Sequence, residues 1–363
     1  MDILFYFGHP AKFNFFKNTI NSLLFKGHHV DIFINGKDVL EDLVIAEGWE
    51  YYNLFPEGRK IKGIPPKISI LINITRTLFK LLLKINKKKY DLFVTSDLLV
   101  IIGKIKKVPS ILVTDDDLKG APNQWLLFKY ADYIFAPKIC NLGKYESKKI
   151  SFYGYKALGH LHPNHFTPSV EIINKYNLQP DTYFFIRTVA VISHHDSGMH
   201  GIKDELLSKI IQFLEQFGKV LLNSEREVPR HLQKYLLKFN KNEISHILAF
   251  SKMVISDSST VCAEAAVLGV PTIEFNSWFQ LYEQPKELAK YDLVFYTFNE
   301  SELFSQAKSI LETNDVKVLQ MGKRQKMLNN CVDVSSLLTW LIEMFPKSVE
   351  MLSDNPEYQR NFK

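Results

Sequence analysis

The 363-residue sequence predicts an α/β protein built from two doubly wound parallel sheets. Short runs of β-branched and aromatic residues alternate with longer stretches whose apolar residues recur at helical spacing, a pattern typical of parallel strands joined by crossover helices. This alternation occurs twice, and the Pro- and His-containing stretch 159–168 separates the two series. A chain of this length can give each series its own hydrophobic core. We therefore expect domains at 1–162 and 163–345, followed by a C-terminal tail at 346–363.

The first series begins with a buried type of strand, because residues 3–7 are continuously apolar. The later strands of this half are also short apolar runs, and most are followed by a stretch with apolar residues three or four positions apart. Strands are predicted at 3–7, 30–34, 49–54, 92–95, 110–113 and 133–136. Helices are predicted at 13–25, 38–46, 66–86, 98–105 and 125–130. These elements form a complete Rossmann-like domain.

The second series repeats the pattern after the separating stretch. Its helix at 204–217 is amphipathic, and the helix at 261–268 is Ala-rich and ends at Gly269. Strands are predicted at 183–186, 220–222, 254–255, 271–275 and 293–296. The other helices are predicted at 231–239, 244–250, 301–311, 316–329 and 334–345. The sequence thus predicts a second Rossmann-like domain.

Composition and charge exclude several classes of protein. Lysine plus arginine exceeds aspartate plus glutamate by 45 minus 39, and this net charge of +6 is far short of a nucleic-acid-binding profile. It suits anionic substrates or an anionic membrane surface. The three cysteines are widely spaced and lack a C-x-x-C pair, so they indicate neither a disulfide framework nor a zinc site. The N-terminus does not read as a signal peptide and no apolar run is long enough to span a bilayer, so we expect a cytoplasmic protein, soluble or peripheral on the inner face of the membrane.

The stretch 253–275, MVISDSSTVCAEAAVLGVPTIEF, predicts a strand, a polar turn, a helix and a second strand. A helix that begins directly after a parallel strand presents unpaired N–H groups and the positive end of its dipole, which suit phosphate without a metal. Ser258, Ser259 and Thr260 would line that phosphate site. Glu264, near the start of the helix, would accept hydrogen bonds from the hydroxyls of a ribose. The alternative is an ordinary capped helix of an α/β domain, with Glu264 as a favourable acid near its N-terminus.

Doubly wound sheets bind ligands at the carboxyl ends of their strands, beside the point where strand order reverses. We expect the loops after the first and fourth strands of each half to lie there. In the first half these are the loop that begins Gly8-His9-Pro10 and the loop 95–97. In the second half they are 188–201 and 257–260. Chemistry is expected between these loops.

Three residues of the first half are candidates for proton transfer. His9 follows a strand-ending glycine and titrates near neutral pH, although the same position suits a helix cap or a phosphate contact. Asp115 is the first of three adjacent acids after the fifth strand, where neighbouring charges would raise one pKa. The alternative for that run is a solvated turn or an N-cap. Asp97 is a further candidate after the fourth strand.

A histidine-rich loop, SHHDSGMHG at 193–201, follows the first strand of the second half. With Arg187 at the end of that strand, His194 and His195 would clamp a diphosphate leaving group. Asp196, His200 and the histidines at 160, 162 and 165 include plausible metal ligands. Because neither cluster has a recognised ligand spacing, we predict no metal site.

The predicted helix within 66–89 carries basic residues at helical spacing, opposite an apolar face. One interpretation is an ordinary domain helix with a solvated basic face. The other is a peripheral contact with anionic lipid, which would be useful if the substrate is lipid-linked.

The stretch 257–265 resembles the donor-binding motif of GT-B nucleotide-sugar enzymes, in particular the DSGG-x-x-EE-A pattern of UDP-N-acetylglucosamine 2-epimerases. Asp257, Ser258, Val261, Glu264 and Ala265 match this pattern, and hydroxyl residues stand where it has glycines. FGHPAKFNFFKN, GYKALGHLHPNHF and SHHDSGMHGI are similar to an uncharacterised bacterial and archaeal family placed among GT-B glycosyltransferases. The resemblance covers 1–345 and implies two Rossmann-like domains facing each other across a cleft.

The resemblance also sets this chain apart from the epimerases. These enzymes have an arginine in a G-T-R-P-E pattern after the first strand, where this chain has Gly8-His9-Pro10. They have acids in a P-E-E segment, where this chain has Pro122-Asn123-Gln124. Since epimerisation by elimination and re-addition needs those groups, the resemblance implies transfer instead.

We therefore expect a metal-independent glycosyltransferase of surface polysaccharide synthesis that needs no cofactor. Its C-terminal domain would bind a nucleoside diphosphate sugar, with Gly8 at the cleft and Gln280 and Glu283 near the donor sugar. Its N-terminal domain would bind the hydroxyl acceptor, a glycan or a lipid-linked molecule. The alternatives are a UDP-sugar 2-epimerase or hydrolase, and a non-catalytic nucleotide-sugar-binding protein.

Overall fold

The computed structural model describes residues 1–36, 39–58, 65–86, 88–190 and 201–363, without the side chains of 66 and 67. The chain divides into two compact units. Unit 1 comprises Met1–His160 together with Cys331–Lys363, and unit 2 comprises Leu161–Asn330.

The strands and helices follow one another in alternation along most of the chain. The strands are β1 (Asp2–Phe7), β2 (His29–Ile34), β3 (Tyr52–Asn53), β4 (Leu92–Thr95), β5 (Ser110–Val113), β6 (Tyr133–Pro137), β7 (Lys149–Phe152), β8 (Tyr183–Thr188), β9 (Lys219–Ser224), β10 (Met253–Ser256), β11 (Thr272–Phe275) and β12 (Val294–Thr297). The α-helices are α1 (Pro10–Phe25), α2 (Leu40–Ala46), α3 (Pro66–Ile85), α4 (Leu99–Lys106), α5 (Trp125–Tyr130), α6 (Leu158–Leu161), α7 (Val170–Asn174), α8 (Asp204–Leu214), α9 (Ile244–Ala249), α10 (Ser259–Leu268), α11 (Glu283–Lys290), α12 (Glu300–Glu312), α13 (Val316–Asn330), α14 (Val334–Glu343) and α15 (Lys347–Asp354). Short 3₁₀ helices occupy Pro122–Gln124, Gly143–Lys148, Arg230–Tyr235, Lys241–Glu243, Phe279–Leu281 and Pro356–Asn361.

Unit 1 is organised around a parallel sheet of seven strands in the order β3-β2-β1-β4-β5-β6-β7. The chain adds strands in one direction up to β3 and then returns past β1, so strand order reverses between β1 and β4. The loops that follow β1 and β4 therefore open at the reversal point, as the sequence predicts. Tyr6 of β1 and Phe93 of β4 are fully buried in the core that α3 and α4 cover.

The seventh strand of this sheet is absent from the sequence prediction, which ends the domain at six strands. β7 alternates lysine and serine with buried Ile150 and Phe152, so it lacks the continuous apolar run of the central strands. It lies at the edge of the sheet, and its Phe152 ring stacks on Phe135 of β6 with ring centroids 4.6 Å apart. Burial on one face is enough to recruit this strand.

The C-terminal segment completes unit 1 rather than unit 2. Leu337, Leu338 and Leu341 of α14 are buried, and α14 packs against α1. The hydroxyl of Ser335 donates to the carbonyl of Gly159 at 2.5 Å. The division thus differs from the predicted domains, because residues 331–345 pack with the N-terminal half and residues 346–363 form α15 and a closing 3₁₀ helix. Sequence periodicity shows that a helix is amphipathic but not which core its apolar face joins.

Unit 2 contains a five-stranded parallel sheet in the order β12-β11-β10-β8-β9. The reversal point lies between β8 and β10. The loop 257–260 therefore follows the third strand of this unit, not the fourth as predicted, yet it still opens at the reversal. The register pairs Ser256 with Arg187, which brings the ends of β10 and β8 side by side.

The predicted helix at 231–239 is shorter in the structure and has 3₁₀ geometry over Arg230–Tyr235. It ends because Leu236 adopts an extended conformation and forms an isolated bridge with Leu222 of β9. The N–H of Leu237 then donates to the carbonyl of Leu222 at 3.0 Å. A pairing with a strand fifteen residues earlier overrides the local helical pattern.

Within the described ranges, no helix has both the length and the apolar content that crossing a bilayer requires.

Candidate functional site

The first half of the candidate site is the N-terminus of α10, which begins three residues after β10 ends. Ser258 has an extended backbone at φ −95° and ψ 106°, and its side chain makes no capping hydrogen bond. Ser258 and Ser259 are half-buried and Thr260 is exposed. The first N–H groups of this ten-residue helix therefore open at the carboxyl edge of the unit 2 sheet, where they can bind an anion.

Asp257 fixes the neighbouring loop to this helix start. Its buried carboxylate accepts hydrogen bonds from the N–H of Val189 at 2.8 Å and from the N–H of Ile202 at 3.1 Å. A Cβ on Gly201 would lie 2.8 Å from the Asp257 Oδ2 atom, so only glycine allows this approach. Burial raises the pKa of Asp257 to about 6, although the backbone donors oppose the shift. Asp257 thus holds both described ends of the loop after β8.

A second buried carboxylate supports the helix start from below. Glu274 of β11 accepts a hydrogen bond from the Ser259 hydroxyl at 2.5 Å and another from the Asn276 amide at 2.6 Å. Burial raises the pKa of Glu274 to about 7, while these donors lower it. The Ser259 hydroxyl is therefore bound to Glu274, which leaves the backbone N–H of Ser259 as the donor for an incoming phosphate.

Glu264 and Arg187 lie on the two elements that meet at the reversal point. Because α10 begins at Ser259, Glu264 is in the second turn of the helix, and it is buried. Burial lowers the pKa of the Arg187 guanidinium, and the carboxylates of Glu225, Asp257 and Glu264 raise it. The candidate ribose-binding acid and the candidate phosphate-binding cation therefore interact electrostatically within unit 2.

The guanidinium of Arg187 already makes two hydrogen bonds within unit 2. Its terminal nitrogens donate to Asn223 and to Glu225, while its Nε is buried without a hydrogen-bond partner among the described residues. Glu225 is nearly half exposed, so an incoming anion can displace it. Arg187 is thus held at the reversal point, with one donor not used by the described structure.

The other residues predicted to bind substrate in unit 2 lie after β11 or in the loop after β8. Gln280 is exposed in the 3₁₀ helix after β11, and Glu283 begins α11 and pairs with Lys286 at 2.6 Å. His194 and His195 lie outside the described residues, as do Asp196 and His200 of the alternative metal cluster. Among the residues that are described, no group of three or more histidines, cysteines or acids is arranged to hold a metal ion.

In unit 1, the loop after β1 packs closely on the end of β2. A Cβ on Gly8 would lie 2.8 Å from the Nδ2 atom of Asn35. The same Asn35 nitrogen donates to the hydroxyl of Tyr6 at 2.7 Å, and Asn35 is buried. Glycine at position 8 therefore permits close packing of the loop and does not itself provide a chemical group.

His9 is the N-cap of α1. Its Nδ1 atom accepts a hydrogen bond from the N–H of Ala11 at 3.1 Å. Because Nδ1 accepts this bond, the proton of the neutral ring lies on Nε2. The alternative that the sequence left open, a helix cap, therefore describes the Nδ1 atom of His9.

Asp115 lies between two lysines. Its Oδ1 atom is 3.3 Å from the Lys12 ammonium and its Oδ2 atom is 2.7 Å from the Lys156 ammonium. Burial alone would raise the pKa of Asp115, but these two ammonium groups hold it well below its usual value. A carboxylate so stabilised in its anionic form is a weak base, so Asp115 suits a structural role in an ion-pair cluster.

The raised pKa that the sequence predicts for this acidic run belongs to the next residue. Burial and the adjacent charge of Asp115 raise the pKa of Asp116, and the lysines oppose them. The Gln124 amide donates to the Asp116 carboxylate, and the Asp116 N–H donates to the Thr114 hydroxyl at 3.2 Å. Asp116 is thus an oriented carboxylate with enhanced basicity at the carboxyl end of β5.

Asp97 has a local role at the start of α4. Its Oδ1 atom accepts from the N–H of Leu98 at 2.7 Å, and its own N–H donates to the Thr95 hydroxyl at 3.0 Å. Asp97 is half-buried at the reversal point of the unit 1 sheet. It therefore stabilises the turn that places the loop after β4 beside the loop after β1.

Several residues of the candidate site were missed in the sequence. Lys12 and Lys156 could not be paired with Asp115 because they lie 103 and 41 positions away along the chain. Glu274 lies within the apolar strand TIEF, and the sequence pattern of this strand predicts β structure without indicating a role for the acid. A buried acid in a parallel strand was the available signal, since such an acid needs hydrogen-bond donors around it.

Comparisons with known proteins define the fold. No family model matches the sequence, and no curated protein matches it. Among solved structures, the S. aureus MnaA–UDP co-structure has a TM-score of 0.69 and 14% sequence identity, covering 96% of this chain and 98% of that chain. The UDP-GlcNAc 2-epimerase from Neisseria meningitidis, bound to UDP-GlcNAc, has a TM-score of 0.60 and 14% identity, covering 91% of this chain and 99% of that chain. The spinosyn rhamnosyltransferase SpnG, complexed with spinosyn aglycone, has a TM-score of 0.59 and 11% identity, covering 94% of this chain and 100% of that chain.

The chain therefore has the α/β two-domain GT-B fold, and this prediction is confirmed. Both 2-epimerases and glycosyltransferases are among the proteins that share the fold.

The buried acid below α10 predicts how stability depends on pH. The pKa of Glu274 is about 7 in the folded protein, against an ordinary value of 4.5 for a glutamate, so the folded state retains a proton that the unfolded state loses. Stability is therefore full below pH 4.5 and is lost as pH rises toward 7, by roughly 3 kcal/mol for this group. Glu274→Gln keeps the oxygen that Ser259 and Asn276 bind and carries no charge. We expect it to stabilise unit 2 at pH 8 by about 1–3 kcal/mol and to flatten the pH dependence.

Urea unfolding of wild type and Glu274→Gln at about pH 5 to 8, the range in which Glu274 titrates, measures this difference in stability. Glu312→Gln, an exposed carboxylate on α12, is the matched control and should leave the pH dependence unchanged. Equal pH slopes for wild type and Glu274→Gln would contradict the assignment.

Proposed function

We propose that this protein is a metal-independent glycosyltransferase that takes a sugar from a nucleoside diphosphate sugar and attaches it to a hydroxyl acceptor in surface polysaccharide synthesis. The observation that carries the proposal is the N-terminus of α10 at the reversal point of unit 2, with Arg187 and Glu264 beside it. This arrangement offers N–H donors and a cation to a diphosphate and a carboxylate to a ribose.

The donor would bind in unit 2 through its nucleoside diphosphate. The hydroxyl of Ser258 and the backbone N–H groups of Ser259 and Thr260 would hold the phosphates, since the N–H of Ser258 already donates to the Ser256 hydroxyl. Arg187 would exchange Glu225 for a phosphate oxygen. Glu264 would accept hydrogen bonds from the two ribose hydroxyls. These groups supply the positive charge that a leaving diphosphate requires, which is why we propose no metal ion.

The transfer step would proceed by direct displacement. The acceptor oxygen forms a bond to the anomeric carbon, the bond from that carbon to the diphosphate oxygen breaks, and its electron pair leaves with the nucleoside diphosphate. The acceptor's proton passes to a carboxylate of unit 1. We assign this proton to Asp116 in place of Asp115, because the lysines that neutralise Asp115 make it the weaker base. His9 would donate a hydrogen bond from Nε2.

Transfer is favoured over epimerisation by the groups next to Asp116. Gln124 is a neutral amide that donates to the Asp116 carboxylate and accepts from the Thr114 hydroxyl. The position after β1 holds His9, which caps α1, rather than an arginine. An elimination across the sugar ring needs an acid and a base acting on opposite faces, and this cluster offers one carboxylate of raised pKa.

Binding of UDP tests the donor site directly. A ligand at about a hundred times its Kd stabilises the folded state by roughly 2.7 kcal/mol, so saturating UDP should raise the melting temperature by several degrees. Glu264→Gln removes one charged acceptor for the ribose and should weaken binding about tenfold or more. Isothermal titration with UDP and with GDP measures the loss.

The same titration includes Glu312→Gln as the matched carboxylate-to-amide control, which should bind like wild type because Glu312 is exposed on α12. Unchanged affinity of Glu264→Gln would remove Glu264 from the ribose site, and no binding of any nucleotide would overturn the proposed donor site.

Incubation without acceptor separates transfer from epimerisation. We expect UDP-N-acetylglucosamine to remain intact in the presence of the protein alone, because displacement requires an acceptor hydroxyl. Proton NMR of the sugar in deuterated water detects both hydrolysis and exchange at C2. Rapid inversion or deuterium incorporation at C2 would establish an epimerase, and rapid release of free sugar would establish a hydrolase.

Substitution of Asp116 tests the proposed base. Asp116→Asn keeps an oxygen for Gln124 and removes a group of raised pKa, so we expect transfer to fall by about a hundredfold or more while the melting temperature is kept or raised. The assay follows radiolabelled sugar from nucleotide donors into the polysaccharide and lipid fractions of membranes from the source cells.

Asp354→Asn, an exposed substitution at the end of α15, is the control and should retain full transfer. Full activity of Asp116→Asn would show that a group other than Asp116 is the base. If biological function survives Asp116→Asn without detectable transfer but is lost in Glu264→Gln, the protein binds nucleotide sugar without acting as an enzyme.

A further inference from the structure

Helix α3 exposes an apolar stripe that the proposed reaction does not use. The residues Ile68, Leu71, Phe79 and Leu83 are each between 52% and 65% exposed. Leu71, Phe79 and Leu83 are separated by multiples of four residues, so they lie along one ridge of the helix. A contiguous exposed stripe of this kind marks an interaction surface more often than it reflects chance.

The stripe is not a result of poor packing, because the opposite face of α3 is well buried. Leu81 and Ile85 belong to the core formed with β1, β2, β4 and α4, and Leu78 and Leu82 pack against it. The hydroxyl of Thr77 donates to the Asn73 carbonyl at 2.7 Å, so the polar residue on this face is also satisfied. The helix is therefore fixed on the sheet by one apolar face, and its second apolar face is exposed.

Cations border the exposed stripe along its neighbouring ridge. Arg76 and Lys80 lie over the ring of Phe55, at 5.3 and 4.3 Å from its centroid, and Lys84 lies 3.8 Å from the centroid of Tyr52. The stretch 66–89 contains no aspartate or glutamate, and its basic residues are Lys67, Arg76, Lys80, Lys84, Lys87, Lys88 and Lys89. Lys88 is paired with Asp2 and Asp31, so the positive charge beside the exposed apolar side chains comes from Arg76, Lys80 and Lys84 of α3.

Positive charge continues next to the C-terminal end of α3. The ammonium of Lys106, near the end of α4, donates to the side chain of Asn86, which follows α3. Lys104 of α4 is paired with the carboxylate of Asp132, and Ile105, between the two lysines, is 57% exposed. The two packed helices therefore present the same combination of apolar and basic side chains.

We propose that the exposed face of α3, extended by the end of α4, docks on an anionic lipid bilayer. An apolar stripe lying parallel to the surface inserts among the acyl chains while the flanking ammonium groups meet lipid phosphates. The charge argues against a second copy of this chain, because pairing two such faces would oppose cations with cations. The charge also matches an anionic surface without any conformational change in α3.

Vesicle sedimentation tests the proposal and needs neither donor nor acceptor, so its outcome is independent of the proposed function. We expect wild-type protein to sediment with phosphatidylcholine vesicles that contain about a quarter phosphatidylglycerol, to bind pure phosphatidylcholine at least fivefold less, and to be released by about 0.5 M NaCl. The double variant Leu71→Ser with Phe79→Ser and the double variant Arg76→Gln with Lys84→Gln should each lose at least fivefold of the bound fraction.

The matched control for the apolar change is Phe25→Ser, since Phe25 is 93% exposed at the end of α1 and should not affect binding. Lys286→Gln with Lys308→Gln in unit 2 controls for net charge. Circular dichroism melting identifies any variant that fails to fold, and single Phe79→Ser then replaces the double change. The proposal is overturned if anionic vesicles bind no protein, if the α3 variants bind like the controls, or if light scattering shows a dimer that the α3 variants abolish.

Discussion

The buried carboxylate of Asp257 is the interaction on which the candidate site in unit 2 depends. It accepts hydrogen bonds from the N–H groups of Val189 and Ile202 and so fixes both described ends of the loop after β8 beside the start of α10. These two bonds hold Val189 and Ile202 beside the helix N-terminus. The carboxylate also places negative charge below the helix, close to Arg187, whose pKa it raises. The position of the loop beside the anion site therefore depends on one side chain and on Gly201, which lets the loop approach it.

The fold was predictable where short-range pattern and tertiary context agree. β4 and β5 begin and end where the sequence places them, because central parallel strands are continuous apolar runs. The third strand was predicted at 49–54 but pairs over Tyr52–Asn53 alone, since only these residues have a partner on β2. The helix start was set too late in α10 because Ser259 and Thr260 suggest caps, although in the structure they already form the first turn.

The candidate site was predictable in its location but not in its electrostatics. Strand alternation is enough to place 8–9, 95–97, 187–188 and 257–260 at carboxyl ends of strands, and the sheet orders place them at the two reversal points. The neutralisation of Asp115 by lysines of α1 and of the segment after β7 depends on long-range packing that no local pattern carries. The same holds for His9, whose tautomer is decided by a hydrogen bond from Ala11.

Because unit 1 is closed by α14 and α15, unit 2 is inserted within it along the chain. During synthesis, α14, which packs against α1, emerges only after the whole of unit 2. Until then the nascent unit 1 leaves apolar residues of α1 uncovered, whereas unit 2 can already be complete. Segment 331–363 thus completes the unit that residues 1–160 begin, so its loss would leave the core beside α1 open.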